Sequence, residues 1–226
     1  MDQQNPPTPK MIFEDWGLID YEIALQKQLD YVETVIADKT HPGFLIFCSH
    51  PEVVTLGRQT RPEDIFDWKG PLREVSRGGR ATYHGPSQLV AYPILNLKNA
   101  RAGRGPQEVR GYLRALENAV VETLNFFEVK SVGKTPQKIP GQALETEETG
   151  VWIENQKIAS LGIAVKQWVT FHGVAINFNY DPSAFIGLNP CGFKSSVMIS
   201  FEEAQRQKPN LSHFKEIFKA NCLALL

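Results

Sequence analysis

The chain is poor in cysteine. It has three among 226 residues, Cys48, Cys191 and Cys222, with no CxxC pair and no His-rich run. So sparse and odd a set argues against a disulfide framework, lacks zinc-ligand spacing, and points to a reducing, cytoplasmic setting. Long apolar runs are also missing. Nothing approaches the roughly 18 apolar residues that cross a bilayer, and residues 1–9 lack the charged-then-apolar order of a secretory signal. Charges nearly cancel, to a formal net of −1, so no general attraction to nucleic acid or anionic membrane is expected. The phosphate-binding patterns GxxxxGK[ST] and GxGxxG are absent too.

What is present can build a core: 42% of residues are hydrophobic and 22% charged. The length suits one large domain or two small ones. Residues 1–10, dominated by Pro and polar residues, read as a disordered arm. Leu18, Tyr21, Leu25, Leu29, Val32 and Ile36 recur at helical spacing and predict an amphipathic helix, ended by His41-Pro42-Gly43. The run 44–48 predicts a buried strand, with Cys48 as a core residue. Residues 52–57 and 73–76 predict further strands, and 89–97 another, where Pro93 suggests an edge or a bulge. Pro106 is placed to open a long helix whose buried stripe is Val109, Leu113, Leu116, Val120, Leu124 and Phe127. The Lys/Pro/Gly-rich stretch 131–141 predicts a mobile loop, and 151–159 a hairpin turning at Asn155-Gln156. A strand between Gly173 and Asn179 and a C-terminal helix carrying Phe214, Ile217, Phe218 and Leu225 complete the reading. With no repeat or linker, one α+β domain with a mixed sheet results.

Four segments carry possible chemistry. Arg77-Gly78-Gly79-Arg80-Ala81-Thr82-Tyr83-His84-Gly85-Pro86 lets backbone approach a ligand closely and then stiffens. Alone it reads more readily as a structural turn than as a ligand cradle, and His84 more readily as a hydrogen-bonded structural histidine than as a catalyst. Lys157, beside a hairpin turn, would ordinarily be solvated; burial would instead favour a neutral amine able to take a proton. His172 stands at the mouth of a strand. Cys191 lies between Pro190 and Gly192 in a tight turn and not on a core stripe, and a nearby cation would favour its nucleophilic thiolate. Arg58, Arg61, Arg73, Arg77 and Arg80 cluster in sequence, either as a solvated face or as a docking patch for an acidic partner.

Taken together, these segments resemble the octanoyltransferases of lipoate biosynthesis. That family's motif RGGxxTYHGPGQ aligns with Arg77 to Gln88, and its KIA(S/A)-hydrophobic-G motif with Lys157 to Gly162. The HG-x-A-hydrophobic-N motif aligns with His172 to Asn177, and the PCG turn is Pro190-Cys191-Gly192. Order and spacing agree over roughly residues 16–198. Two departures stand out: Ser87 where glycine is usual, and Arg80 where Gln or Asp is commoner.

The resemblance implies a single catalytic domain over 11–226. Its expected fold is that of the biotin/lipoate protein ligase catalytic domain: α+β, with a mixed, largely antiparallel sheet flanked by helices. It also implies transfer of octanoate from octanoyl-acyl carrier protein to a lysine of lipoyl domains, through a thioester on Cys191 assisted by Lys157. Acceptors would be lipoyl domains of 2-oxoacid dehydrogenases and the glycine cleavage H protein. Substrate-binding residues would be Arg77, Gly78, Gly79, Arg80, Ala81, Thr82, Tyr83, His84, Ser160, Leu161, Gly162, Gly173, Val174 and Ala175, with His172 supporting. No metal or cofactor, and a monomer, are expected. Rival readings are an ATP-dependent lipoate or biotin ligase of the same fold, a thioesterase, and a non-catalytic binder of carrier or lipoyl domains.

Overall fold

The computed structural model describes residues 10–101, 104–135, 149–205 and 208–226. Most of the predicted arm, and the end of the predicted 131–141 loop, lie outside these residues. The first element is a strand, β1 (Ile12–Leu18), so Leu18 does not belong to the helix its spacing suggested. Asp20 divides the two elements. Its carboxylate accepts from the amides of Glu22 (2.9 Å) and Ile23 (3.2 Å), capping helix α1 (Tyr21–Ala37).

Strands β2 (Phe44–Ser49), β3 (Val53–Leu56), β4 (Leu72–Glu74), β5 (Thr82–His84) and β6 (Gln88–Ile94) follow. After helix α2 (Val109–Phe126) come β7 (Val132–Gly133), β8 (Gly150–Ile153), β9 (Gln156–Lys166) and β10 (Val169–Asn177). Helices α3 (Phe201–Gln205) and α4 (Leu211–Leu225) close the chain. Pro106 lies in the turn before α2 and does not open the helix.

Seven strands form one sheet in the order β1-β2-β6-β10-β9-β8-β7, with β1–β2 its parallel pair. A second sheet, β4-β3-β5, was not foreseen. The strand holding Pro93 is central, not an edge. The ladder instead absorbs the proline by a local break. Val174 pairs with Ala91, and the Thr170 amide reaches Leu95 O, but His172 and Pro93 between them do not pair. The His172 amide turns to Gln28 Oε1 (2.8 Å), and Thr170 Oγ1 donates to Pro93 O (2.8 Å).

One face of the large sheet packs on α2 and α4 through Leu116, Val120, Leu124, Phe214 and Phe218, all fully buried. The other face meets α1 through Val32 and Val35. Such side chains each contribute about 1.5–3 kcal/mol on burial. Beyond the start of α1, that second face is roofed by the loop and strand that carry Arg77, Thr82 and His84, and a cavity lies between.

Candidate active site

Strand β9 would normally send alternate residues to opposite faces, separating Lys157 from Ser160. A bulge prevents this. Gly150 pairs with Ser160 and Val151 with Ala159, but Trp152 pairs with Lys157, so β9 carries one extra residue. Cross-strand partners share a face, and Gly150 and Trp152 are two apart on β8. Lys157 and Ser160 therefore face the same way. Lys157 is 1% exposed, with Nζ 5.4 Å from the Trp152 ring centre and 5.6 Å from that of Phe193.

Cys191 approaches this face from the 3₁₀ turn Pro190–Gly192, where it adopts φ 56°, ψ 21°. Few non-glycine residues adopt that left-handed conformation. It is held by the Cys191 amide donating to Ala81 O (2.8 Å) and the Gly192 amide donating to Asn189 O (2.9 Å). The thiol lies 3.4 Å from Thr82 Oγ1 and 3.8 Å from Ser160 Oγ. Burial pushes this thiol up, but the Lys157 charge, the Thr82 hydrogen bond, Arg77 and Ser160 together outweigh it. The net position is below the ordinary thiol value. Burial pushes Cys48 and Cys222 up, and at Cys48 the Asp15 charge adds to it more than Lys215 offsets. Cys191 alone of the three has the setting of a reactive thiolate.

The cavity beside it is lined by Arg77, Thr82, His84, Ser160 to Gly162 and Gly173 to Ala175, all predicted, and by His172. Tyr21, Val90 and Tyr92 also line it and were missed. Period-two spacing from Leu89 to Ile94 could have indicated Val90 and Tyr92; Tyr21 follows a recognisable helix cap. Gly78, Gly79, Arg80, Ala81 and Tyr83 are not among the lining residues. Strand alternation accounts for Tyr83: with Thr82 and His84 facing the cavity, it points away, toward Glu52 (3.3 Å) and the rings of Trp68 and Phe185. Ala81 contributes its carbonyl to the Cys191 turn.

Arg77 is a buried brace. Its guanidinium donates to Gly78 O, Arg80 O, Thr55 O and Thr55 Oγ1 at 2.6–3.0 Å. Gly162 lets it pass, since a Cβ there would sit 2.9 Å from Arg77 Cδ. Behind it Tyr21, His50, His84, His172 and Tyr92 form a buried polar-aromatic group. His50 Nε2 meets Tyr92 Oη at 2.7 Å, and Tyr21 Oη meets His172 Nδ1 at 3.5 Å. Burial holds all three histidines toward the neutral form, His172 down to about 3.

The predicted arginine cluster is not one docking face. Arg77 and Arg80 are buried, Arg80 against Asp64 (Nε–Oδ2 3.1 Å). Arg73 pairs with Glu22, while Arg58 and Arg61 are exposed.

A model of the lipoyl protein ligase A/B catalytic domain matches residues 20–222. The chain belongs to that family. It is 50% identical over 217 residues to an octanoyltransferase of Bdellovibrio bacteriovorus, covering 96% of this chain and 99% of that one. An octanoyltransferase of Rickettsia felis is 34% identical over 216 residues, covering 90% and 96%. Among solved structures, a T. acidophilum protein with bound lipoic acid superposes with a TM-score of 0.68. It is 13% identical, and the match covers 94% of this chain and 84% of that one. Biotin protein ligase from Aquifex aeolicus, in complex with biotin and ATP, gives 0.53 at 10% identity, covering 93% and 68%. The lipoyl protein ligase A/B fold is therefore the one described above, a mixed sheet of largely antiparallel strands flanked by helices. Among the described residues of this family member, no helix is long and apolar enough to cross a membrane.

Proposed function

We propose that this protein is an octanoyltransferase acting by double displacement through Cys191. The observation that carries the reading is a single partly exposed thiol with Lys157, Thr82 and Ser160 converging on it beside the cavity that Thr82 and Ser160 line. The Cys191 thiolate attacks the carbonyl of an octanoyl thioester on acyl carrier protein. The C–S bond to the carrier breaks, the carrier leaves as a thiol after gaining a proton, and octanoyl-Cys191 remains. A lipoyl-domain lysine then attacks as the free amine. An amide forms, Cys191 departs as thiolate, and the amine proton must find a base.

Lys157 serves both halves. As an ammonium it favours the thiolate. By giving its proton to the departing carrier sulfur, Lys157 becomes the amine that then accepts the proton of the attacking lysine. Val90, Leu161, Val174 and Ala175 supply apolar wall for the acyl chain, whose burial is worth about 0.8 kcal/mol per CH₂. Thioester exchange is nearly balanced, and amide formation from a thioester runs downhill, so the cycle needs no nucleotide.

The test is transfer of octanoate from its carrier protein to a lipoyl domain without ATP, with purified wild type and Cys191→Ala. Transfer by wild type and its collapse in the variant support the reading. A strict ATP requirement with free octanoate as donor would replace it by a ligase; release of octanoate to water, by a thioesterase.

A further inference from the structure

We propose that the buried Arg80–Asp64 ion pair fixes the Cys191 turn, making both of them positioning residues for acyl transfer; this rests on the reading of Cys191 as nucleophile. The two side chains are 8% and 0% exposed. The guanidinium engages the carboxylate through two nitrogens, Nε at 3.1 Å and Nη2, and also reaches Glu63 Oε1 at 3.4 Å. Asp64 is itself held, accepting from the Arg61 amide at 3.0 Å.

Both partners hold the turn directly. On one side, Asp64 O accepts from the Asn189 amide (2.9 Å), and Asn189 Nδ2 donates to Glu63 O (2.8 Å). On the other, the residue after Arg80 supplies the carbonyl that receives the Cys191 amide. The guanidinium also lies against Gly192, where an added Cβ would run into Nη1 and sit 3.0 Å from Nε. Three of the four positions from 189 to 192, namely 189, 191 and 192, are thus fixed by one ion pair and the backbone beside it.

Cys191 needs such holding. Its left-handed backbone is strained for a residue with a side chain and persists only when its surroundings impose it. Once released, the turn could relax and carry the thiol away from Lys157, Thr82 and Ser160. A buried ion pair is weak evidence for stability, because desolvation offsets its attraction. Its role here is geometric. Arg80 was expected among the substrate-binding residues; instead it stands behind the nucleophile.

The test uses Arg80→Lys, which keeps a cation but cannot form the planar fork, with Arg80→Gln and Asp64→Asn. Iodoacetamide alkylation of Cys191 is followed against pH, alongside melting temperature and the kcat and KM for transfer. In Arg80→Lys the alkylation midpoint should move upward and kcat fall by about 10²-fold, the scale for a nucleophile displaced by roughly an ångström. KM should change little, and Arg80→Gln and Asp64→Asn should show the same pattern more strongly. A wild-type midpoint with unchanged kcat in folded Arg80→Lys would overturn the proposal. So would losses that track melting temperature alone. If Arg80→Gln and Asp64→Asn do not fold, Arg80→Lys decides. If wild type transfers acyl groups independently of Cys191, the functional reading fails, but alkylation still reports on the turn.

Discussion

Lys157 and Ser160 face the same side of β9 although three positions separate them, because a bulge opposite Val151–Trp152 inserts one residue between them. In a regular strand at this same spacing, the amine and the hydroxyl would fall on opposite faces, and only one could meet Cys191. The bulge is the local device that assembles the site, in keeping with where such irregularities concentrate.

Replacing the amine tests its electrostatic role. Lys157→Met removes the cation that most strongly lowers the Cys191 thiol. Losing a positive neighbour disfavours thiolate, so the alkylation midpoint should move upward. Transfer should fall by roughly 10²–10⁴-fold, the usual contribution of a positioned acid–base group. An unmoved midpoint would detach Lys157 from the thiol.

Gly173 reports on the cavity floor. A Cβ there would collide with Ala91 O and lie 2.9 Å from Pro93 Cδ, and a backbone carbonyl in a central strand cannot yield cheaply. Gly173→Ala should destabilise by about 1–3 kcal/mol, the range for overpacking, read as a lower urea midpoint. Wild-type stability would mean that β6 and β10 can separate freely.

Much of this arrangement was legible in the sequence. The apolar run at 44–48, the hairpin at 151–159 and the apolar spacing around Phe214 each depend on residues close together in the chain. What was hidden depends on distant partners. Strand β1 carries Glu14, Asp15 and Gly17 in no clean alternation and is set by its parallel pairing with β2. Arg80 was recognised as unusual, but Asp64 lies 16 positions away in a short turn with no motif. The bulge at β9 leaves no mark, since nothing in Lys157-Ile158-Ala159-Ser160 prescribes which residue is extra.

The buried histidines give a pH signature. His50, His84 and His172 are held below their unfolded value near 6.5, His172 to about 3. Below 6.5 the unfolded chain binds protons that the folded chain resists. Stability is therefore full above that pH and is lost as pH falls toward each folded value. Each histidine adds a slope of up to about 1.4 kcal/mol per pH unit. Urea denaturation at pH 7.0, 6.0 and 5.0 should show the decline, and His172→Phe should reduce it. A flat profile would contradict the burial.

On the opposite face of the sheet, Phe214 is fully buried among Phe127, Phe178, Phe201 and Phe218. Phe214→Ala should cost about 3–5 kcal/mol. Because the large sheet separates this core from the cavity, the Cys191 alkylation midpoint should stay put in the folded variant. A shifted midpoint would show the two sides to be coupled.

The most direct measurement is intact mass after mixing the protein with octanoyl-acyl carrier protein in the absence of ATP. Wild type should gain one octanoyl group, lose it when a lipoyl domain is added, and pass it to a lysine there; Cys191→Ala should gain none. An adduct that persists in Cys191→Ala, or transfer by wild type with no adduct on a time scale shorter than turnover, would contradict the thioester route.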